Sequence, residues 1–178
     1  MDTEIEAKLK VESLEGIEHR LIELGAEFLQ EQVQTDYYFD DATSTLKNSD
    51  KALRLRRQLT GKTEKVLLTY KGPKTKDNFK KRQEIEIEIK DADSAEKLLF
   101  ALGYEKALVF EKKRRIWQIG ECVVALDELP LLGDFVEIEG PDDKKIGDVQ
   151  RDLGLANLPH IGESYASLIE QKLRTNEG

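Results

Sequence analysis

Cysteine is almost absent from this chain of 178 residues, because Cys122 is its only cysteine. A single cysteine excludes an intrachain disulfide and every cysteine-rich zinc site. Long apolar runs are missing as well, since no stretch approaches the roughly 20 residues that a membrane-spanning helix needs. The first residues carry neither a basic nor an apolar region, so we expect no secretory signal, no membrane association and a cytoplasmic protein.

An excess of positive charge is also absent. The 28 Lys and Arg residues stand against 36 Asp and Glu residues, which gives a formal net charge of -8. Dedicated nucleic-acid-binding proteins are usually basic, so we do not expect nucleic acid as a partner. The charged fraction of 36% nevertheless exceeds the roughly 25% of an average soluble domain. Many of these charges must therefore have a defined place in the fold.

Apolar residues recur with the period of β-strands over much of the chain. Thr60-Gly61-Lys62 has the composition of a hairpin turn, and Gly72-Pro73 is expected to end a strand. Because the strands are mostly sequential, the pattern predicts an α+β fold with one main antiparallel sheet, in a single domain over residues 1–178. The predicted strands are 4–11, 35–40, 52–57, 66–71, 82–89, 109–118, 122–127 and 135–139. The four predicted helices are about 13–24, 93–102, 144–153 and 164–174, with Ser13 and either Asp93 or Ser94 as N-caps of the first two.

The polar positions of these strands carry charged side chains in a particular order. Carboxylates two residues apart, as in Glu4-x-Glu6 and Glu137-x-Glu139, place two oxygen ligands on one face of a strand, and such ligands suit Mg²⁺ or Mn²⁺. Arginines two residues apart, as in Arg54-x-Arg56, present planar forks that suit phosphate oxygens. A site for a complex of metal and polyphosphate requires both kinds of group.

Two interpretations of the charged strands remain open from periodicity alone. In the first, one face of the sheet packs on helices and the charged face is simply solvated. In the second, the sheet curls into a barrel with charges inside and apolar residues outside, beneath the helices. The types of charged residue favour the second interpretation.

An ordered series of sequence blocks resembles the CYTH superfamily, the triphosphate tunnel metalloenzymes. The first block, Glu4-x-Glu6-x-Lys8, is similar to the ExExK signature of that family. The resemblance covers nearly the whole chain and looks most like the class IV adenylyl cyclase-like (CyaB-type) branch. The further blocks are Tyr38-Phe39-Asp40, Ala52-Leu53-Arg54-Leu55-Arg56, Tyr70-Lys71-Gly72-Pro73, Arg82-x-Glu84-x-Glu86, Lys112-x-Arg114-x-x-Trp117, Ala125-Leu126-Asp127, Leu132-Gly133-Asp134-Phe135-Val136-Glu137-Ile138-Glu139 and Glu163-Ser164-Tyr165.

The resemblance implies an eight-stranded antiparallel β-barrel, or tunnel, with a charged interior that binds a small-molecule triphosphate together with Mg²⁺ or Mn²⁺. Lys8 and Glu84 are the catalytic residues that it implies; Lys8 is assigned to water activation in the family's triphosphatases, and phosphate binding is an equally good use for it. The implied metal ligands are Glu4, Glu6, Asp127, Glu137 and Glu139. The implied phosphate-binding residues are Lys8, Arg54, Arg56, Lys71, Arg82, Lys112 and Arg114.

Two chemistries of the family remain open for this site. Class IV adenylyl cyclases use the 3′-hydroxyl of ATP to attack the α-phosphorus, which releases cyclic AMP and pyrophosphate. Triphosphatases use water to attack the terminal phosphorus of thiamine triphosphate, tripolyphosphate, a nucleoside triphosphate or an RNA end. We expect the cyclase first and the triphosphatase second. The alternatives of other classes are a non-catalytic binder of nucleotides or polyphosphate and a scaffold with a solvated charged sheet. A homodimer is left open, and nothing in the sequence identifies an adenine pocket.

Overall fold

A computed structural model describes the backbone of residues 2–74 and 80–176 and the side chains of residues 5–74 and 82–175. Within these ranges the chain forms eight strands: β1 (Asp2–Val11), β2 (Glu27–Asp40), β3 (Ala52–Thr60), β4 (Thr63–Lys74), β5 (Lys80–Ile89), β6 (Glu105–Ile119), β7 (Cys122–Leu129) and β8 (Gly133–Glu139). The same ranges contain five helices: α1 (Glu15–Glu23), α2 (Thr45–Asn48), α3 (Ala92–Ala101), α4 (Asp143–Asp152) and α5 (Tyr165–Asn176). None of the helices in the described part of the chain is long and apolar enough to span a membrane.

The strands pair antiparallel in the order β1-β5-β4-β3-β2-β6-β7-β8. The chain also divides into two compact units that alternate along the sequence, so the prediction of a single domain stays a prediction. Each unit has its own part of the sheet and its own apolar core. The first unit comprises Met1–Thr3, Gln32–Thr75 and Arg82–Lys112, and the second comprises Glu4–Glu31, Lys76–Lys81 and Lys113–Gly178.

In the first unit, strand periodicity separates an apolar face from a charged one. The register places Tyr37 opposite Leu55 on β2 and β3, and both belong to the apolar cluster that packs against α3. Side chains alternate between the two faces of a strand, so Asp36 and its partner Arg56 lie on the other face. The buried members of the apolar cluster are Phe39, Leu55, Val66, Ala92 and Leu99.

The second unit shows the same separation on β1, β8 and β7. Val136 and Ile138 of β8 are fully buried, and they belong to one apolar cluster with residues of α1 and α4. Glu137 lies between them in sequence and therefore points to the opposite face of the strand. The buried cluster contains Ala7, Leu9, Leu14, Ile17, Leu21, Trp117, Cys122, Val124, Leu126, Val136, Ile138, Ile146, Val149, Leu153 and Leu155.

Several predicted strand ends differ from the structure, and two of these differences have an identifiable cause. Gly72-Pro73 does not end β4, which continues to Lys74 after a shift of register between Lys71 and Lys74. A β-bulge tolerates a proline because it removes one residue from the hydrogen-bonded ladder. The strand predicted over 35–40 begins at Glu27 in the structure. The prediction was too short because the residues before Thr35 are mostly polar, so the sequence does not show which of them are buried.

The starts of the helices depend on side-chain contacts that the periodicity of the sequence does not predict. Residues 41–50, between the predicted strands 35–40 and 52–57, contain the short helix α2, whose backbone amides at Leu46 and Lys47 donate to the Asp40 carboxylate at 3.0 and 2.9 Å. Asp91, rather than Asp93 or Ser94, is the N-cap of α3 and accepts from the Asp93 amide. Ser13 is likewise not the N-cap of α1, since the structure places Leu14 there.

Candidate active site

The charged face of the first unit carries cations that are deeply buried. Arg54 and Arg56 are each 7% exposed, and Lys112 is 3% exposed. Burial of a charge is costly unless the charge is paired, so this face must also supply anions. The Arg54 face is defined here by Asp36, Arg54, Arg56, Thr69, Lys71, Arg82, Glu84, Glu86 and Lys112.

Asp36 pairs with Arg56 through both carboxylate oxygens. Nε of Arg56 donates to Oδ1 at 2.6 Å and Nη2 donates to Oδ2 at 2.8 Å. Burial alone would raise the pKa of Asp36, but the charges of Arg56 and Arg54 outweigh it and hold the pKa well below its usual range. Asp36 was not predicted as a site residue, although its position directly opposite Arg56 follows from the hairpin register. It fixes one phosphate-binding candidate in place.

Arg54 lies among several acceptors and is saturated by none of them. Its Nη2 donates to Thr69 Oγ1 at 3.2 Å and approaches Glu86 at 3.5 Å and Glu84 at 3.9 Å. Its Nε is buried and has no hydrogen-bond partner among the described residues. Burial alone would lower the pKa of Arg54, but Asp36 and the other surrounding anions raise it, so the guanidinium stays charged. A buried fork with long contacts is suited to a further anionic ligand.

The two other cations on β4 and β5 have different partners. Lys71 Nζ lies 2.6 Å from a carboxylate oxygen of Glu84, the residue directly opposite it on β5. Arg82 donates from Nε to the Gly72 carbonyl at 2.8 Å and from Nη2 to the Asp50 carbonyl at 3.1 Å. Arg82 therefore supports the irregular end of β4 in this structure, while Lys71 and Glu84 form a pair on the face itself.

The charged face of the second unit has the opposite balance. Along β1 and β8, Glu6 lies opposite Glu139 and Lys8 lies opposite Glu137. Arg114 lies opposite Asp127 on β6 and β7. The Glu137 face is defined here by Glu6, Lys8, Arg114, Asp127, Glu137, Glu139 and the α5 residue Tyr165.

Arg114, Asp127 and Tyr165 form one buried network. Nε of Arg114 donates to Asp127 at 2.6 Å, a second guanidinium nitrogen contacts both Asp127 and Glu137, and the Tyr165 hydroxyl donates to Asp127 at 2.7 Å. Burial would lower the pKa of Arg114, but Asp127 and Glu137 raise it. Burial raises the pKa of Tyr165, and Glu137 and Asp127 raise it further, so the phenol keeps the proton that it donates. The contact between Tyr165 and Asp127 was not predicted from the sequence.

Lys8 is 2% exposed and lies at the junction of β1, β8 and α5. Its Nζ is 3.2 Å from Glu137 Oε1, donates to the Glu163 carbonyl at 3.2 Å and lies 4.1 Å from the centre of the Tyr165 ring. An ammonium ion satisfies all three contacts as a donor or a cation. These contacts favour a protonated Lys8 that attracts anions.

The predicted metal ligands differ in how well they fit a divalent cation. Glu6 and Glu139 fit, since they lie directly opposite each other on β1 and β8 and supply two carboxylates to one position. Asp127 fits poorly, because Arg114 and Tyr165 already hold its two oxygens, and Glu137 contacts both Lys8 and Arg114. The Glu4 side chain lies outside the described residues. Among the side chains that are described, no three carboxylate, histidine or cysteine residues are grouped closely enough to hold a metal alone. Mg²⁺ is often bound by only one or two carboxylates together with substrate phosphates, so a Glu6–Glu139 pair remains compatible with it.

Comparison with known proteins identifies the family of this chain. The model of the CYTH domain matches residues 2–162. The chain belongs to the CYTH family. The adenylate cyclase CyaB of Aeromonas hydrophila is 30% identical over 183 residues, which cover 97% of this chain and 92% of the relative. The Pyrococcus horikoshii protein PH1819 has 30% identity and a TM-score of 0.82, and the match covers 95% of this chain and 99% of that one.

A more distant structural neighbour extends the likeness in fold. HpAC1 of Hippeastrum is 18% identical with a TM-score of 0.72, over 94% of this chain and 95% of the other. The predicted CYTH resemblance and fold class are thus confirmed: the chain has the α+β fold of the family, with eight antiparallel strands in the described part of the chain. Five helices accompany the strands in the described part of the chain, one more than predicted. The residue roles implied by the resemblance stay predictions.

Proposed function

We propose that this CYTH protein is a metal-dependent adenylyl cyclase that converts ATP into cyclic AMP and pyrophosphate. Membership of the family and the 30% identity to the CyaB cyclase support an enzyme that acts on a triphosphate. The observation that carries the proposal is the burial of two arginine forks, Arg54 and Arg56, side by side on one strand face. Two such forks match the closely spaced oxygens of a polyphosphate.

The proposed reaction transfers a nucleotidyl group within one substrate molecule. The 3′-oxygen of ATP forms a bond to the α-phosphorus while the bond from the α-phosphorus to the bridging oxygen of the β-phosphate breaks. Pyrophosphate leaves with that electron pair, and the hydroxyl proton passes to a base. Glu84 is our candidate for this base, because a carboxylate can accept a proton from an attacking oxygen. Positioning of the triphosphate supplies most of the remaining rate enhancement in such reactions.

The cations predicted from the sequence are assigned to the phosphate oxygens, some as direct ligands and others as supporting residues. We propose that Arg54 and Arg56 bind directly, since Arg54 has long contacts and Arg56 is held in place by Asp36. Lys8 is proposed as a phosphate-binding cation, because its contacts to Glu137 and the Glu163 carbonyl favour its protonated form. The supporting positions are Lys71, Lys112 and Arg114, while Arg82 is assigned to β4 through the Gly72 carbonyl.

The metal is assigned to the Glu137 face. Glu6 and Glu139 would hold Mg²⁺ or Mn²⁺, which would offset the charge that develops on the leaving pyrophosphate. Glu137 and Asp127 then act mainly by orienting Lys8 and Arg114, to which they are bonded. Glu4 remains an expected ligand on the strength of the family signature alone.

Triphosphate hydrolysis is the second candidate function, and one observation favours it. The structural neighbour HpAC1 is described as a candidate adenylyl cyclase with a dominant triphosphatase activity. The same buried arginine forks would then hold the β- and γ-phosphates while water attacks the terminal phosphorus. The same phosphate-binding cations can therefore serve both reactions, which differ in the attacking group and in the phosphorus that it attacks.

Oxygen-18 water separates the two reactions. The protein is incubated with ATP and either Mg²⁺ or Mn²⁺ in this solvent, and the products are examined by mass spectrometry. The cyclase predicts unlabelled cyclic AMP and unlabelled pyrophosphate, because no water enters the bond that forms. Labelled orthophosphate without cyclic AMP would establish the triphosphatase instead.

The remaining expectations concern location and partners. We propose a cytoplasmic enzyme without nucleic-acid or membrane partners, supported by the acidic net charge of -8 and the single buried cysteine. Sedimentation of the purified chain would measure whether it forms the homodimer that the sequence leaves open.

A further inference from the structure

Three glutamine side chains cluster on the same strand face as the arginine forks. Gln32 and Gln34 alternate with Asp36 along β2, and Gln58 lies directly opposite Gln34 on β3. Gln34 Nε2 donates to Gln32 Oε1 at 2.5 Å and to Gln58 Oε1 at 3.3 Å. Because two acceptors converge on this one nitrogen, the orientation of the Gln34 amide is set by its neighbours.

The carbonyl end of the same amide contrasts with its nitrogen. Gln34 is 2% exposed, and its Oε1 is buried without a hydrogen-bond partner among the described residues. A buried acceptor without a donor is destabilising, and most such atoms in folded proteins are paired. The Gln34 carbonyl therefore presents a single, fixed acceptor that requires an N–H or O–H donor.

The position of this acceptor relative to the arginine forks indicates what the donor belongs to. Gln34 and Gln58 form the cross-strand pair next to Asp36 and Arg56 on the same face, two positions further along each strand. Two residues of a strand span about 6.8 Å. A heterocycle attached to a triphosphate is joined to the first phosphate by a linker of a few atoms, so one extended molecule can reach from the arginine side chains to the glutamine side chains.

We propose that Gln32, Gln34 and Gln58 form a subsite for the heterocyclic end of the triphosphate substrate, in which Gln34 Oε1 accepts a hydrogen bond from an exocyclic amino group of the ring. The inference rests on the proposed function, because it requires the phosphates to lie on Arg54 and Arg56. An amino group next to a ring nitrogen occurs in adenine and also in the aminopyrimidine of thiamine triphosphate. Tripolyphosphate has no ring and cannot use the subsite.

Binding measurements with matched ligands test the subsite directly. Dissociation constants are measured by calorimetry with Mg²⁺ for ATP, for purine riboside triphosphate (which lacks only the amino group), for thiamine triphosphate and for tripolyphosphate. For the wild-type chain we expect ATP to bind about 10-fold more tightly than purine riboside triphosphate, as one hydrogen bond to a buried acceptor predicts. Tight binding of thiamine triphosphate instead of ATP would identify the aminopyrimidine as the source of the amino group.

Gln34→Met removes the acceptor with little change in volume. We expect this variant to bind ATP and purine riboside triphosphate equally, while its affinity for tripolyphosphate stays within about 2-fold of wild type. Gln58→Met, at the half-buried edge of the cluster, serves as the second variant if Gln34→Met melts early. Gln171→Met, on the exposed face of α5, is the matched control.

Two results would overturn the subsite. An equal loss of affinity for ATP and tripolyphosphate in Gln34→Met would show that the cluster only supports the fold near Arg56. Unchanged ATP affinity in both folded variants would show that the ring does not reach the glutamines. Failure of the proposed function has a different signature, namely binding of these ligands without turnover of any of them.

Discussion

The two charged faces of this protein use the same residue types in opposite proportions. On the Arg54 face, five cations accompany three carboxylates; on the Glu137 face, four carboxylates accompany two cations. In both cases a carboxylate holds an arginine through paired hydrogen bonds, Asp36 with Arg56 and Asp127 with Arg114. Those pairs neutralise themselves. Among the remaining charges, cations are in excess on the Arg54 face and carboxylates are in excess on the Glu137 face.

This difference shows why net charge is a poor guide to the ligand. The chain as a whole has a charge of -8, which taken alone argues against a polyanionic substrate. A polyphosphate, however, meets local groups rather than the average charge, and the Arg54 face has a local excess of cations. A divalent metal on the Glu137 face would offset part of the acidic excess.

The largest expected effect comes from a carboxylate of the Glu137 face. Glu6→Gln should lower metal-dependent turnover of ATP by at least about 100-fold, since removal of a charge that stabilises the transition state typically costs that much. The variant keeps the size of the side chain, so its melting temperature should stay near wild type. Release of pyrophosphate and orthophosphate is the readout, and Glu12→Gln, an exposed residue just beyond β1, is the control. Full activity in Glu6→Gln would remove Glu6 from the metal site.

The second effect concerns the stability of the Arg54 face. Asp36→Asn should lower the free energy of unfolding at pH 7 by about 3 kcal/mol, because it leaves the buried Arg56 guanidinium without its paired anion and removes one of the anions around Arg54. The pKa of Asp36 is depressed in the folded state, so its contribution is present above the unfolded value of about 3.9 and is lost as the pH falls through the folded value.

Urea denaturation of the wild type and Asp36→Asn at pH 7, 5 and 3 checks this sign. The difference between the two proteins should be largest at pH 7 and should begin to shrink below about pH 4. A difference that is constant from pH 7 to pH 3 would contradict the role assigned to the Asp36 charge.

Exchange of one arginine for lysine should separate the shape of the cation from its charge. Arg56→Lys keeps the charge but loses the planar guanidinium that Asp36 holds in place and that we propose binds phosphate, so the KM for both ATP and tripolyphosphate should rise about 10-fold. Arg57→Lys is the matched control, since the neighbouring side chain lies on the opposite strand face and pairs with Glu64. Equal kinetics of the two variants would indicate that Arg56 does not touch the phosphates.

The smallest expected effect is that of the Tyr165 hydroxyl. Tyr165→Phe keeps the ring contacts with Phe135 and Lys8 and removes the hydroxyl that donates to Asp127. We expect a loss of about 1 kcal/mol in the free energy of unfolding, the usual contribution of one such bond. Thermal denaturation measures this loss, with Tyr70→Phe as the control variant. Equal stability of the two variants would mean that Arg114 alone holds Asp127.

Much of this arrangement could be predicted from alternation in the sequence. Strands such as β5, with Glu84, Ile85, Glu86 and Ile87, have one clear period, and the resemblance to the CYTH family located the charged positions. The partners could not be predicted, because they depend on register across strands. Asp36 is read as one polar residue among aromatics until β2 is aligned with β3, where it lies opposite Arg56.

The glutamine cluster shows the same limit more strongly. Gln32 and Gln34 lie in a stretch without apolar alternation, so no local pattern predicts that β2 begins at Glu27 or that amides are buried there. Tyr165 was part of a predicted motif, but its contact with Asp127 joins residues 38 positions apart. Contacts of this kind follow from tertiary packing and leave little local signal.

Phosphorus NMR of the wild-type protein tests the central claim most directly, namely that the charged faces serve a metal and a triphosphate rather than the fold alone. ATP, tripolyphosphate and thiamine triphosphate are each incubated with Mg²⁺, with Mn²⁺ or with excess EDTA. We predict consumption of ATP with formation of cyclic AMP and pyrophosphate when either metal is present, and intact ATP with EDTA. Persistence of all three triphosphates with both metals would contradict the account.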